Sequence, residues 1–459
     1  MRIFKRCVVA VAAMSLGACN LDLQNPNQPT ADQVVSSPDG VIALATGLQA
    51  RFAASYFNYA YMAGVVTDEF AATAAALVSI SDAEQGAVAP GTGIADNVFN
   101  SVYRTVRTAD ELIAGADRLS GSFEAGTRSG LKALAFTLKA EALGEAIQSY
   151  QRIPINTFDI TTPTYGSRAE ALVVIRALLD SAATTIAGTQ PSAFFNTNIL
   201  TPGISLPNMI QIYRARYARM AGDNATALAA SNLVARSGTA AFSQLTFPVP
   251  GVNPFSNVTG GTNGIAVRRG YRTSMSPTDQ RFNYFVIPST TLTGRIGTTP
   301  IDPFSARYAT PSSSLPVYFP DEALLIKAEA LANQGNLAGS QAALDSVRTD
   351  CTGGRGLDDP KACLPALVGS LTQADLLTEI YAQRRLELLG TGLRWEDSRR
   401  RNAVRGPIAA PQLPVDAQRC WLPYSFGDRN ANVDPTTRLS NVPADPAEPT
   451  AFPSGCATP

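Results

Sequence analysis

Between residues 317 and 401 the chain carries three helix patterns in succession. A short polar turn joins the first two, so they must pack as an antiparallel pair. Leu324, Leu325, Ala328 and Leu331 recur at helical spacing, with Asp321 placed to cap the start. Gly335 ends that helix, because glycine accepts the left-handed turn that helix ends often need. Asn336 can cap the next, which carries Leu337, Ala343, Leu344 and Val347. The third opens at Thr372, where Asp375 three residues on approximates a capping box. Its stripe reads Leu376, Leu377, Ile380, Arg384, Leu388. Arg384 thus falls on an apolar face, and a buried guanidinium needs a carboxylate, since breaking such a pair costs roughly 3–5 kcal/mol. Glu329, Glu387, Glu396 and Asp397 are the candidates for a structural ion-pair network. Arginine cannot act as a base, so a catalytic role for Arg384 is disfavoured.

These motifs resemble the C-terminal half of the SusD/RagB family. The matching residues are Ala328-Glu329-Ala330, Gly335-Asn336-Leu337-Ala338-Gly339, Val347-Arg348, the run Arg384 to Leu388, and Gly392-Leu393-Arg394-Trp395-Glu396-Asp397-Ser398-Arg399-Arg400. Gln383 and Thr391 stand where the family usually has Glu. The resemblance implies a mainly α, SusD-like helical scaffold with tetratricopeptide-like helix pairs and long irregular loop inserts. It also implies a nutrient-binding, non-enzymatic lipoprotein of the outer membrane, facing the cell surface. Such proteins act as lids on a SusC-like TonB-dependent transporter and bind oligosaccharides or peptides.

The N-terminus agrees with that address. Arg2, Lys5 and Arg6 precede an apolar run too short to span a bilayer. Leu16-Gly17-Ala18-Cys19 resembles a lipobox. Residues 1–18 therefore read as a signal peptide, Cys19 as the lipidated residue, and 19–37 as an extended tether. Several acyl chains on one cysteine anchor stably, at roughly 0.8 kcal/mol per buried CH₂. No later stretch reads as a transmembrane helix. Residues 38–459 read as one helical domain, with a loop-rich insert at 238–316 and the motif region at 317–401.

Composition narrows the chemistry. Lys plus Arg and Asp plus Glu each number 37, so net charge gives no case for nucleic acid. The absence of histidine excludes Ser-His-Asp and Cys-His catalysis and histidine-ligated metals. Paired carboxylates for glycoside hydrolysis, such as Asp68 with Glu69 or Asp358 with Asp359, are adjacent in sequence. Neighbours rarely reach the facing separation of ~5–9.5 Å that this chemistry needs. No cofactor is implied. Cys351, Cys363, Cys420 and Cys456 suggest two disulfides in an oxidising compartment, with three connectivities possible. Proximity favours Cys351–Cys363 and Cys420–Cys456. The lack of a CxxC pair argues against zinc.

Earlier in the chain, helical spacing predicts helices over 37–59, 97–119, 127–147 and 167–186, then a second helix pair over 207–236. The second pair turns at Gly222-Asp223-Asn224-Ala225, echoing Gly335-Asn336-Leu337-Ala338. Non-contiguous pairs of this kind argue for tetratricopeptide-like packing with inserts. Residues 238–316 are rich in Gly, Pro, Ser, Thr and Asn, and loops so long are usually functional or disordered. Arg268, Arg269 and Arg272 there read as a solvated turn, and Asp279 with Arg281 as structural.

Ligand candidates come from aromatic residues near polar groups, since flat faces with polar edges suit sugars and peptides. They are Tyr56, Tyr59, Tyr61, Asp68, Glu69 and Phe70, with Tyr271, Tyr284 and Phe285 from the insert. A lipid-anchored helical-repeat scaffold of the cell envelope is the alternative function.

Overall fold

The computed structural model describes residues 34–67, 69–158, 163–238, 241, 243–247, 251–259, 264–296, 299–351, 359–401, 419–433, 437, 440–445 and 456. Ten helices of eight residues or more occur among them: α1 Pro38–Val65, α2 Gly93–Arg118, α3 Ala125–Ser149, α4 Arg168–Gly188, α5 Leu206–Met220, α6 Asn224–Leu233, α7 Pro320–Asn333, α8 Leu337–Arg348, α9 Gln373–Glu387 and α10 Leu393–Arg400. The protein is mainly helical.

Local chemistry sets the helix ends. Ser37 caps α1, its hydroxyl accepting from Gly40 N, with Pro38 pre-organised at the first position. Ser167 and Glu170 form a capping box on α4, and Thr372 with Asp375 forms one on α9. Asn336 accepts from Gly339 N at the start of α8, as Asp223 does from Thr226 N at α6. Between α7 and α8 the chain turns at Gly335, with φ of 78°. The expectation that Asp321 caps α7 is corrected: Phe319 holds the cap position, Pro320 follows, and Asp321 lies in the first turn. Proline favours that first position because its missing N–H is not needed there.

Packing proceeds mostly between sequence neighbours. Helix α1 lies against α2 and α3, α3 against α4, and α4 against α5. The pairs α5–α6 and α7–α8 stack through α6 and α7, and α9 closes on α7 and α8. Helices α7, α8 and α9 together bury Leu324, Leu325, Ala328, Leu344, Val347, Leu376 and Ile380 in a separate cluster. At about 1.5–3 kcal/mol per large aliphatic chain, this cluster fixes α7, α8 and α9 as a unit.

Helix α4 corrects one expectation, because by length and composition it could cross a membrane. Here Ala171, Leu172, Ile175, Leu179, Ala182 and Ile186 form a buried stripe, and the helix packs between α3 and α5.

The strands are short. β1 Phe70–Ala72, β5 Ile265–Arg268 and β6 Ile301–Asp302 form an antiparallel sheet in the order β1-β5-β6. β2 Ile153–Pro154 pairs with β3 Tyr165–Gly166. β4 Gln244–Leu245 pairs with β7 Leu315–Pro316, joining the two ends of the insert. The insert is therefore folded onto the frame through the sheet, not hung loose from it.

Candidate functional site

The aromatic residues singled out from sequence go mostly to the core, which corrects their reading as a ligand platform. Helix α1 continues to Val65, so Tyr56, Tyr59 and Tyr61 lie on a buried helical turn, each 5 % exposed or less. The Tyr59 hydroxyl sits 2.9 Å from both Gln148 Oε1 and the Gly392 carbonyl. Tyr61 stacks on Phe57. Phe70 is enclosed by Phe304 and Phe255. Tyr271 donates to the Leu386 carbonyl at 2.6 Å, and Phe285 packs edge-on against Tyr271. Glu69 is buried and accepts from Gly390 N. A ring packed on both faces offers none to a ligand, because stacking needs an open face. Tyr284 alone is half-buried, and it lies under the Arg307 guanidinium at 4.2 Å. Cys19, Asp68 and Asp358 lie outside the described residues.

The arginines of the insert are paired, which corrects their reading as a solvated turn. Arg268 reaches Glu84 at 2.9 Å, and Arg269 and Arg272 converge on buried Asp302. Arg281 chelates Asp279 with two bonds and lies 3.5 Å from Glu387 of α9. These contacts tie the insert to the frame.

The motif carboxylates form one buried network. Arg384 Nε donates to Asp397 at 2.7 Å, and Arg400 joins Asp397 to Glu329. Arg219 of α5 lies 3.4 Å from Asp397 and 3.6 Å from Glu329. Glu396 pairs with Arg168 and Arg399. Burial pushes the Glu396 carboxyl up, but Arg168 and Arg399 prevail and hold it at about 2. Asp397 is likewise held well below the usual carboxylate range, its burial outweighed by Arg384 and Arg400. Burial, with Arg384 and Arg400 close by, brings Arg219 down to about 10. Arg399 also covers the Trp421 ring at 4.2 Å, and Trp395 Nε1 donates to the Arg419 carbonyl. The tail is thus fastened to α10. The disulfides are Cys351–Cys363 and Cys420–Cys456. Asp321, Asp350 and Asp359 lie within 4.8 Å of one another, and Lys361 engages the last two.

Among the described residues, a recess shaped to hold a ligand lies where the insert meets α1. It encloses about 530 Å³ and is lined by Thr46, Ala50, Ala53 and Ala54 on one wall and Phe247, Val252 and Pro254 on the other, among others. Gln49 fixes its floor: its amide donates to the Ala45 and Ile199 carbonyls and accepts from Thr201 N at 2.7 Å. Pockets of ~300–1,000 Å³ with mostly apolar walls and a few polar groups suit small ligands. Sequence reasoning missed this recess. Its signal was the small-residue run Ala50, Ala53, Ala54 at helical spacing on α1.

The SusD family model matches residues 311–413. No curated protein matches the chain. Surface glycan-binding protein A from Bacteroides uniformis is similar in structure, with a TM-score of 0.64 and 15 % identity, covering 86 % of this chain and 99 % of that one. The surface glycan-binding protein A from Bacteroides fluxus gives 0.65 at 13 % identity, covering 88 % and 99 %. A SusD superfamily protein from Bacteroides fragilis gives 0.63 at 15 % identity, covering 84 % and 94 %. The motif helices are thus matched in sequence by the SusD family model, and the helical frame is similar in fold to SusD superfamily structures.

Proposed function

We propose that the protein is an outer-membrane lipoprotein, anchored through Cys19 at the cell surface, that captures an oligosaccharide or peptide and acts as a lid for a SusC-like TonB-dependent transporter. The observation that carries this reading is the insert folded against α1, which makes a recess of about 530 Å³ on a rigid helical frame. The SusD family model matched over residues 311–413 supports it, as do two similar structures described as surface glycan-binding proteins. The walls are largely apolar, with Thr46, Thr201 and Thr246 in the lining, and suit the flat face of a sugar ring or an apolar peptide side chain. The mechanism is capture and hand-over, with no bond made or broken by the protein.

Affinity purification from detergent-solubilised membranes tests the partnership. A large β-barrel should co-purify, and Cys19→Ser should move the protein from the membrane to the soluble fraction. Recovery of periplasmic proteins alone would favour the envelope-scaffold alternative, and membrane retention of Cys19→Ser would sink the anchor.

A further inference from the structure

We propose that the guanidinia of Arg219 and Arg384 hold a small inorganic anion of the halide class, as a structural ligand joining α5 to α9. Both side chains flank the same carboxylate, with Arg384 Nε at 2.7 Å and Arg219 Nη1 at 3.4 Å from Asp397. Both residues are buried, at 1 % and 6 % exposure. Arg219 Nε and Nη2 and Arg384 Nη1 and Nη2 have no hydrogen-bond acceptor among the described residues. Charge is also out of balance. Arg168, Arg219, Arg384, Arg399 and Arg400 form a linked group with only Glu329, Glu396 and Asp397. Five guanidinia thus share three carboxylates, with Arg219 and Arg384 at the buried end and Arg400 at the partly exposed edge. Water could accept from the open donors, but it carries no charge to offset the excess. A monatomic anion does both, and buried charges require compensation. Burial first, and then the nearby Arg384 and Arg400, depress the Arg219 guanidinium.

The test uses the full chain, with bromide as the probe. Crystals grown in bromide should give an anomalous peak in contact with both guanidinia. Thermal unfolding in bromide or chloride, compared with gluconate at equal ionic strength, should show Tm higher by a few degrees. Arg219→Met, which removes one guanidinium, should abolish the difference between halide and gluconate. A bromide peak absent from this position overturns the proposal, and so does a halide gain retained in Arg219→Met. If that variant fails to fold, the anomalous peak in the unaltered protein decides.

Discussion

Asp397 accepts from Arg384 and Arg400 and lies beside Arg219, so removing its charge strands several guanidinia at once. Asp397→Asn should cost ~3–5 kcal/mol, read as a fall in the urea midpoint without a change in slope. Glu396 sets a pH dependence with a definite sign. Its folded value of about 2 lies below the ordinary 4.5, so its stabilisation is full above pH 4.5 and is lost as pH falls toward 2. The urea midpoint should therefore be lower at pH 3 than at pH 6; equal midpoints would remove this network from the stability balance. Arg384 was legible in the sequence because an arginine on an apolar stripe must be paired. Its partner was not, since four carboxylates were candidates and only the geometry of α10 selects Asp397.

At the scale of the element, the joint between α9 and α10 depends on Gly392. Its φ is 80°, and a Cβ added there would meet Tyr59 Cε1 at 2.4 Å. Gly392→Ala should cost roughly 2–4 kcal/mol, from the left-handed backbone and the crowded ring together. Chemical denaturation measures the loss; a variant as stable as the parent would show that the two helices can separate from α1 freely. The long helices were readable because burial on one face imposes a period on sequence. Boundaries moved where that period continued unnoticed, as in the tyrosines that end α1. The sheet was not readable: strands of two to four residues have no period to detect, and β1 finds β5 far along the chain.

For the whole molecule, the recess proposed for recognition lies where an irregular segment meets a regular one. Ala53 faces the recess from α1, and Ala53→Trp should fill it. Ligand affinity, measured by calorimetry on whichever glycan or peptide a binding screen returns, should fall at least about tenfold, equivalent to ~1.4 kcal/mol, with Tm little changed. Unaltered affinity would move the site elsewhere. Sequence pointed to aromatic residues because they are the usual carriers of such contacts. In this chain they were consumed by the core, and alanines with proline-rich loop residues shape the opening instead. The pairing of β4 with β7 brings the entry and exit of 238–316 side by side. Closing a loop costs only about 0.6 kcal/mol more for each doubling of its length. Residues could therefore be gained or shed between those two strands while α6 and α7 keep their registration, giving this architecture room to reshape the recess without rebuilding its foundation.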